Sequence, residues 1–216
     1  MVAVTLLLGA GSVFLAGWSW QIWQTSNITS AVTYERDLTS ITKVASVQAA
    51  PIPTLILGDP NARTTLVFYG DTACVDCGRF VREVLPELEL RYLSVNRLKI
   101  VYVPLPFVSS GSLMAGEASY CAGEQGLFSE YYKRMMLGNE VSRVHLTDLA
   151  VASGLKLGEF TSCLESGRYT NVVRSNTDDA RSRSLTDVPA FLLGGRILRG
   201  YQPASVIEAL LTAEGL

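Results

Sequence analysis

Apolar positions are distributed unevenly along this chain. From Val2 to Trp23 the sequence reads VAVTLLLGAGSVFLAGWSWQIW, without one charged residue. At about 1.5 Å per residue this makes roughly 33 Å of helix, enough to cross a hydrocarbon core of about 30 Å. Trp18, Trp20 and Trp23 gather at its far end, where an aromatic belt would meet lipid headgroups. The pattern predicts one N-terminal transmembrane helix over residues 1–23. A cleaved signal segment is the rival reading, although a basic n-region is missing and the apolar run is long for an h-region. No Lys or Arg precedes the run, and Arg36 and Lys43 follow it, a weak bias that leans against export of the following domain. Residues 24–53 are polar, rich in Thr and Ser and weakly periodic, and read as a tether with a short helix around Tyr34–Val44.

Residues 54–216 carry the pattern of a folded domain. Thr54–Leu57 is a short apolar run closed by the turn signal Gly58-Asp59-Pro60. Thr64–Tyr69 (TTLVFY) reads as a buried strand. Val81, Val84, Leu85, Leu88 and Tyr92 then recur at helical spacing, with Pro86 placed to kink that helix. Leu98–Leu105 (LKIVYVPL) is a second buried strand. From about residue 110 to 185 the periodicity is helical, with Leu127, Phe128, Tyr131 and Met135 in one stripe and Leu155, Phe160 and Leu164 in another. Val188–Leu193 and Arg196–Leu198 flank Gly194-Gly195, a hairpin signal. Val206, Ile207, Leu210 and Leu211 make a last helix, with Pro203 suited to its first turn. The order β-α-β, helical insert, β-β-α predicts an α/β thioredoxin fold with an inserted helical subdomain.

Composition narrows the chemistry. The chain has 216 residues and a formal net charge of −2, so it has room for one domain plus an extension and no electrostatic case for nucleic acid. A single histidine excludes multi-histidine metal sites and leaves any Ser-His-Asp arrangement resting on His145. His145 has no cysteine near it in sequence and reads as an exposed or capping side chain. Arg168, Arg174, Arg181 and Arg183 are interleaved with Asp178 and Asp179 and read as a solvated helix face.

The four cysteines hold the chemistry. Cys74 and Cys77 are spaced CxxC, between a buried strand and an amphipathic helix. That spacing sets both sulfurs at one helix start, where unsatisfied amides and the helix dipole stabilise a thiolate. The first cysteine is then the nucleophile and the second closes or opens the disulfide. Val75 and Asp76 lie between them. A carboxylate there opposes the Cys74 thiolate, raising its pKa and weakening the disulfide as an oxidant. It also complements the helix dipole, so first-turn stabilisation is an equal reading. Asp71 is either a residue that starts the helix or a proton-transfer group. Cys121 and Cys163 can be buried free thiols, a disulfide, or part of a four-cysteine zinc site whose spacing fits poorly.

The stretches VFYGDTACVDCGRF, AGEASYCAGEQGLFSEYYKRM, FTSCLESGRY and DVPAFLLGGRILRGYQPASVIEAL, in this order, resemble the DsbA-like family of exported thioredoxin-fold thiol-disulfide oxidoreductases. The resemblance implies a catalytic Cys74–Cys77 pair that forms disulfides in cysteine-containing exported polypeptides. A reductase or isomerase, or a tethered binding factor with a vestigial motif, is the alternative. It implies that Val188-Pro189 is the cis-proline loop receiving the substrate backbone, and that the insert shapes the peptide groove. It adds a Cys121–Cys163 structural disulfide and a membrane redox partner that resets the pair. No cofactor or metal is expected, and the domain is expected outside the cytoplasm, in the periplasm or on the outer face. Members of the family often carry Pro with His or Tyr between the cysteines, where this chain has Val75 and Asp76.

Overall fold

The computed structural model describes residues 52–216. The expected anchor and short helix, and the expected tether up to residue 51, lie outside them; no described helix is long and apolar enough to cross a membrane.

A five-stranded sheet runs through the domain in the order β1-β3-β2-β4-β5. Its strands are β1 (Ile56–Leu57), β2 (Thr64–Gly70), β3 (Leu98–Pro104), β4 (Ala190–Leu193) and β5 (Arg196–Arg199). Only β2 and β3 are parallel, as a helical crossover between them requires. In β3 burial alternates strictly, Leu98, Ile100 and Tyr102 facing the core and Lys99, Val101 and Val103 half-buried. β2 ends with three consecutive buried residues, Phe68, Tyr69 and Gly70, so both sheet faces are covered there.

The crossover starts with α1 (Val75–Glu83), continues through α2 (Leu85–Leu88), and closes in a π-helical turn at Glu89–Leu93. Pro86 supplies the break, because it has no amide to give the preceding turn. Past β3, five helices form the insert: α3 (Ser112–Glu124), α4 (Phe128–Gly138), α5 (Arg143–Ala152), α6 (Leu157–Ser166) and α7 (Thr170–Ser182). Gly194 and Gly195 join β4 to β5 with φ of 55° and 79°, the double positive φ that a two-residue hairpin turn needs. α8 (Ala204–Ala213) closes the fold, with Pro203 one residue ahead of it as N-cap rather than inside its first turn.

One aromatic cluster joins these parts. Phe68 stacks on Phe191 at 5.0 Å and meets Phe80 of α1 at 4.9 Å. Tyr102 lies 5.7 Å from Phe68 and 4.6 Å from Tyr132 of α4, which carries the core from sheet to insert. Phe68, Phe80 and Tyr132 are essentially inaccessible. Truncating one such aromatic costs about 3–5 kcal/mol, so sheet, α1 and α4 depend on each other. A smaller cluster of Tyr69, Leu105, Ala180 and Leu185 seats the end of α7 on the other sheet face.

Candidate active site

The site forms where β2 gives way to α1. A turn brings the Cys74 amide to the Asp71 carbonyl at 3.1 Å, and Cys74 then serves as N-cap of α1. Its Sγ accepts the Cys77 amide at 3.1 Å, and its carbonyl accepts the Gly78 amide at 3.0 Å. A sulfur occupies the place usually taken by a Ser or Asp oxygen. Cys74 and Cys77 form a disulfide with Cα atoms 5.2 Å apart. Cys74 is 6% exposed and Cys77 fully buried, so an attacking group reaches Cys74 first. Val75 is 67% exposed beside it, and Asp76 is exposed in the first helical turn.

The Val188–Pro189 peptide is cis, and the Val188 carbonyl oxygen lies 3.6 Å from Cys74 Sγ. In the disulfide that sulfur carries no hydrogen, so this is a contact; a Cys74 thiol would donate to the same oxygen. The Gly200 amide donates to the Pro189 carbonyl at 2.8 Å and fixes the loop. Next to it, Tyr201 donates to Glu83 at 2.8 Å, while the Arg79 guanidinium lies 3.9 Å over the Tyr201 ring and pairs with Glu83 at 2.9 Å. These bonds, Tyr201 first and then Arg79, hold the Glu83 carboxyl below its ordinary range.

A profile of the thioredoxin family matches residues 51–213. The chain belongs to that family. Within it the likeness runs to DsbA-type proteins. A Rickettsia conorii protein provisionally named a protein-disulfide oxidoreductase is 23% identical over 164 residues, covering 72% of this chain. The match spans 58% of that protein's length. A Na(+)/H(+) antiporter NhaA 1 of Mycobacterium sp. strain KMS is 31% identical over 162 residues, 72% of this chain but only 26% of the antiporter. The crystal structure of Chlamydia trachomatis DsbA superposes with a TM-score of 0.67 at 18% identity, covering 77% of this chain and 93% of that one. At that identity the superposition speaks for the fold.

Asp71 stands in the turn that leads to the Cys74 N-cap, the helix-entry position open to it in the sequence. It is 2% exposed, and its carboxylate accepts four hydrogen bonds. The donors are the amides of Ala73 (2.8 Å), Phe107 (2.9 Å) and Val108 (2.8 Å) and the Ser112 hydroxyl (2.7 Å). All four contacts are made by donors, so Asp71 fastens the turn before Cys74 to the loop that opens the insert. Phe107, Val108 and Ser112 carry no sequence signal for this, since they lie 36–41 residues away from Asp71.

The other candidates lie elsewhere. Cys121 of α3 and Cys163 of α6 are both buried and form a disulfide, Cα atoms 5.8 Å apart, inside the insert. His145 sits in α5, where its amide donates to the Ser142 cap at 3.2 Å and its ring faces Gly138 and Glu140. Among the described residues no three His, Cys, Asp or Glu side chains converge as a metal site.

Proposed function

We propose that the protein is a membrane-anchored thiol-disulfide oxidoreductase that forms disulfides in exported polypeptides. The observation that carries this reading is Cys74 as N-cap of α1, its sulfur held by the Cys77 amide at 3.1 Å. A thiolate there is favoured by the donor and by the positive end of the helix, which makes Cys74 a good leaving group. In each turnover a substrate thiolate attacks Cys74 Sγ, the Cys74–Cys77 bond breaks, and Cys77 leaves as thiolate and takes a proton. A second substrate thiolate then attacks the substrate sulfur of the mixed disulfide and expels Cys74 as thiolate. The substrate has lost two electrons, which the reduced pair passes to an oxidised, quinone-linked membrane partner. The Val188 carbonyl beside Cys74 and the fixed Pro189 loop support binding of the substrate backbone across the disulfide. The uncharged run Val2–Trp23 supports an anchor. The placement of the domain on the outer face, where exported thiols emerge, rests on the family resemblance and not on the charges that flank the run.

Asp76 favours a second reading, reduction or isomerisation, because its charge opposes the Cys74 thiolate. The reduction potential of the pair, equilibrated against glutathione, separates the two. A value near the roughly −270 mV of thioredoxin would sink the oxidase reading. In cells, Cys77→Ser leaves Cys74 to capture mixed disulfides; a variant that captures none points to a non-catalytic binding factor.

A further inference from the structure

A cleft of about 520 Å³ opens between the β3–α3 loop and α7, and both of its walls run into the loops that flank Cys74. On one side Phe107 is tied by its amide to Asp71, three residues ahead of Cys74, at 2.9 Å. On the other, α7 continues through Arg183–Asp187 into Val188, whose carbonyl lies 3.6 Å from Cys74 Sγ. Pro106, Phe107 and Leu113 give the cleft a half-buried apolar side, faced across it by Arg174 and Arg181 of α7.

The arginines around α7 divide by location. Arg168 pairs with Glu124 and Arg183 with Asp179, and neither lines the cleft. Arg174 and Arg181 do line it, and among the described residues neither is in an ion pair. They sit two helical turns apart and therefore share a face. Asp178 between them offsets one charge and leaves the lining net positive. A guanidinium beside an apolar wall matches a carboxylate, which it binds through two parallel N–H donors.

We propose that this cleft docks an acidic segment of the polypeptide that exchanges at Cys74, with an apolar side chain against Phe107 and Leu113 and an Asp or Glu carboxylate between Arg174 and Arg181. The proposal rests on the reading of Cys74–Cys77 as the exchanging pair, and it names the substrates preferred: cysteine peptides with a carboxylate near the thiol.

The test uses the full-length oxidised protein and reduced cysteine peptides differing only in Glu or Gln at one position, with dithiothreitol as a substrate too small to reach the cleft. The Glu peptide is expected to exchange about fivefold faster in kcat/KM, the size of one exposed ion pair. In Arg174→Gln/Arg181→Gln the two peptides should converge while the dithiothreitol rate stays unchanged. In the charge-matched control Arg63→Gln/Arg97→Gln the gap should persist. Serine versions of the peptides report docking without exchange, and their dissociation constants should show the same preference and the same loss. If exchange fails while that binding preference holds, the enzymatic reading falls and the cleft stands. Equal binding of Glu and Gln peptides, or a preference that survives the double variant, overturns the proposal. So does a dimer that separates in the double variant without any peptide preference, since the cleft would then be a self-association surface.

Discussion

The Ser112 hydroxyl donates to the Asp71 carboxylate at 2.7 Å, joining the turn before Cys74 to the first residue of α3 across 41 positions of sequence. Two further donors come from the Phe107 and Val108 amides, so the insert begins from an anchor at the disulfide. Asp71→Asn keeps the size but turns an NH2 toward groups that are themselves donors. A buried donor left without an acceptor costs about 1–3 kcal/mol, and more where the lost partner was charged. Asp71→Asn is expected to lower stability by about 2–4 kcal/mol, and Ser112→Ala by about 1–2 kcal/mol, read as shifts of the urea midpoint at constant m. Equal and small effects from the two would mean that the carboxylate carries no more than one ordinary hydrogen bond.

Asp76 differs from Asp71 in being exposed, in the first turn of α1 next to Cys77. A charge there would reach a Cys74 thiolate through solvent, so a modest effect is expected. Asp76→Asn is expected to lower the Cys74 thiolate pKa, since it removes a like charge from the first turn. With the reduced form stabilised, the disulfide becomes the stronger oxidant, by at most about 30 mV per unit. Thiolate absorbance against pH and equilibration with glutathione measure the two shifts. A rise in pKa would assign Asp76 to stabilising the helix start alone.

These two aspartates mark what could be read without coordinates. The position of Asp76 was legible because it is local: a CxxC at a helix start fixes which residues neighbour Cys74. Pro86 and Gly194-Gly195 were legible for the same reason, each imposing its geometry on its own turn. The β-α-β, insert, β-β-α order followed from periodicity, and the family profile supports the thioredoxin fold it implied. The partners of Asp71 were not legible, since hydrogen bonds to backbone amides leave no mark on residue type. Neither was β1 as a strand, because two residues become one only by pairing with Ile100 and Val101. The arginine strip read as a solvated face; Arg183 pairs with Asp179 one turn back in sequence, a local spacing, while only tertiary packing pairs Arg168 with Glu124 and sets Arg174 and Arg181 on the cleft.

The Cys121–Cys163 bond ties α3 to α6 across a sequence separation of 42. A loop of that length removes roughly 3–4 kcal/mol of chain entropy from the unfolded state. Cys121→Ala/Cys163→Ala is expected to lose about that much in urea unfolding and to keep exchange at Cys74 with dithiothreitol. Loss of dithiothreitol exchange in a variant that still folds would show that the insert's disulfide reaches the redox pair.

The same joint carries a pH dependence. Arg168, first, and then Tyr169 hold the Glu124 carboxyl below its ordinary range by hydrogen bonds. A carboxyl with a lowered folded pKa contributes stability that is present above the unfolded value of about 4.3 and lost as pH falls through the folded one. Stability is therefore expected to drop by about 0.5–1 kcal/mol as pH falls below about 4, the modest size set by a partly exposed pair. Arg168→Ala removes this component, so the difference between wild type and variant should shrink over the same interval. A constant difference from pH 7 to pH 3 would exclude Glu124 as its source.

Gly78, the residue after Cys77, tests how closely the insert must approach the redox helix. A Cβ there would lie 2.8 Å from both Asn139 Oδ1 and the Met136 carbonyl oxygen at the end of α4. In isolation alanine favours a helix over glycine by about 1 kcal/mol. Here the clash with backbone must be relieved by moving α4 off α1, and overpacking of this kind costs about 1–3 kcal/mol. Gly78→Ala is thus expected to destabilise by about 1–2 kcal/mol net, against its own helix propensity. Gly158 in α6 supplies the contrast, since a Cβ there meets nothing within 4 Å. Gly158→Ala is expected to stabilise by about 0.5–1 kcal/mol. Opposite signs from one chemical change, measured in the same urea titration, would locate the constraint at the α1–α4 contact. Two stabilising substitutions would mean that α4 yields freely and does not restrain the helix that carries Cys77.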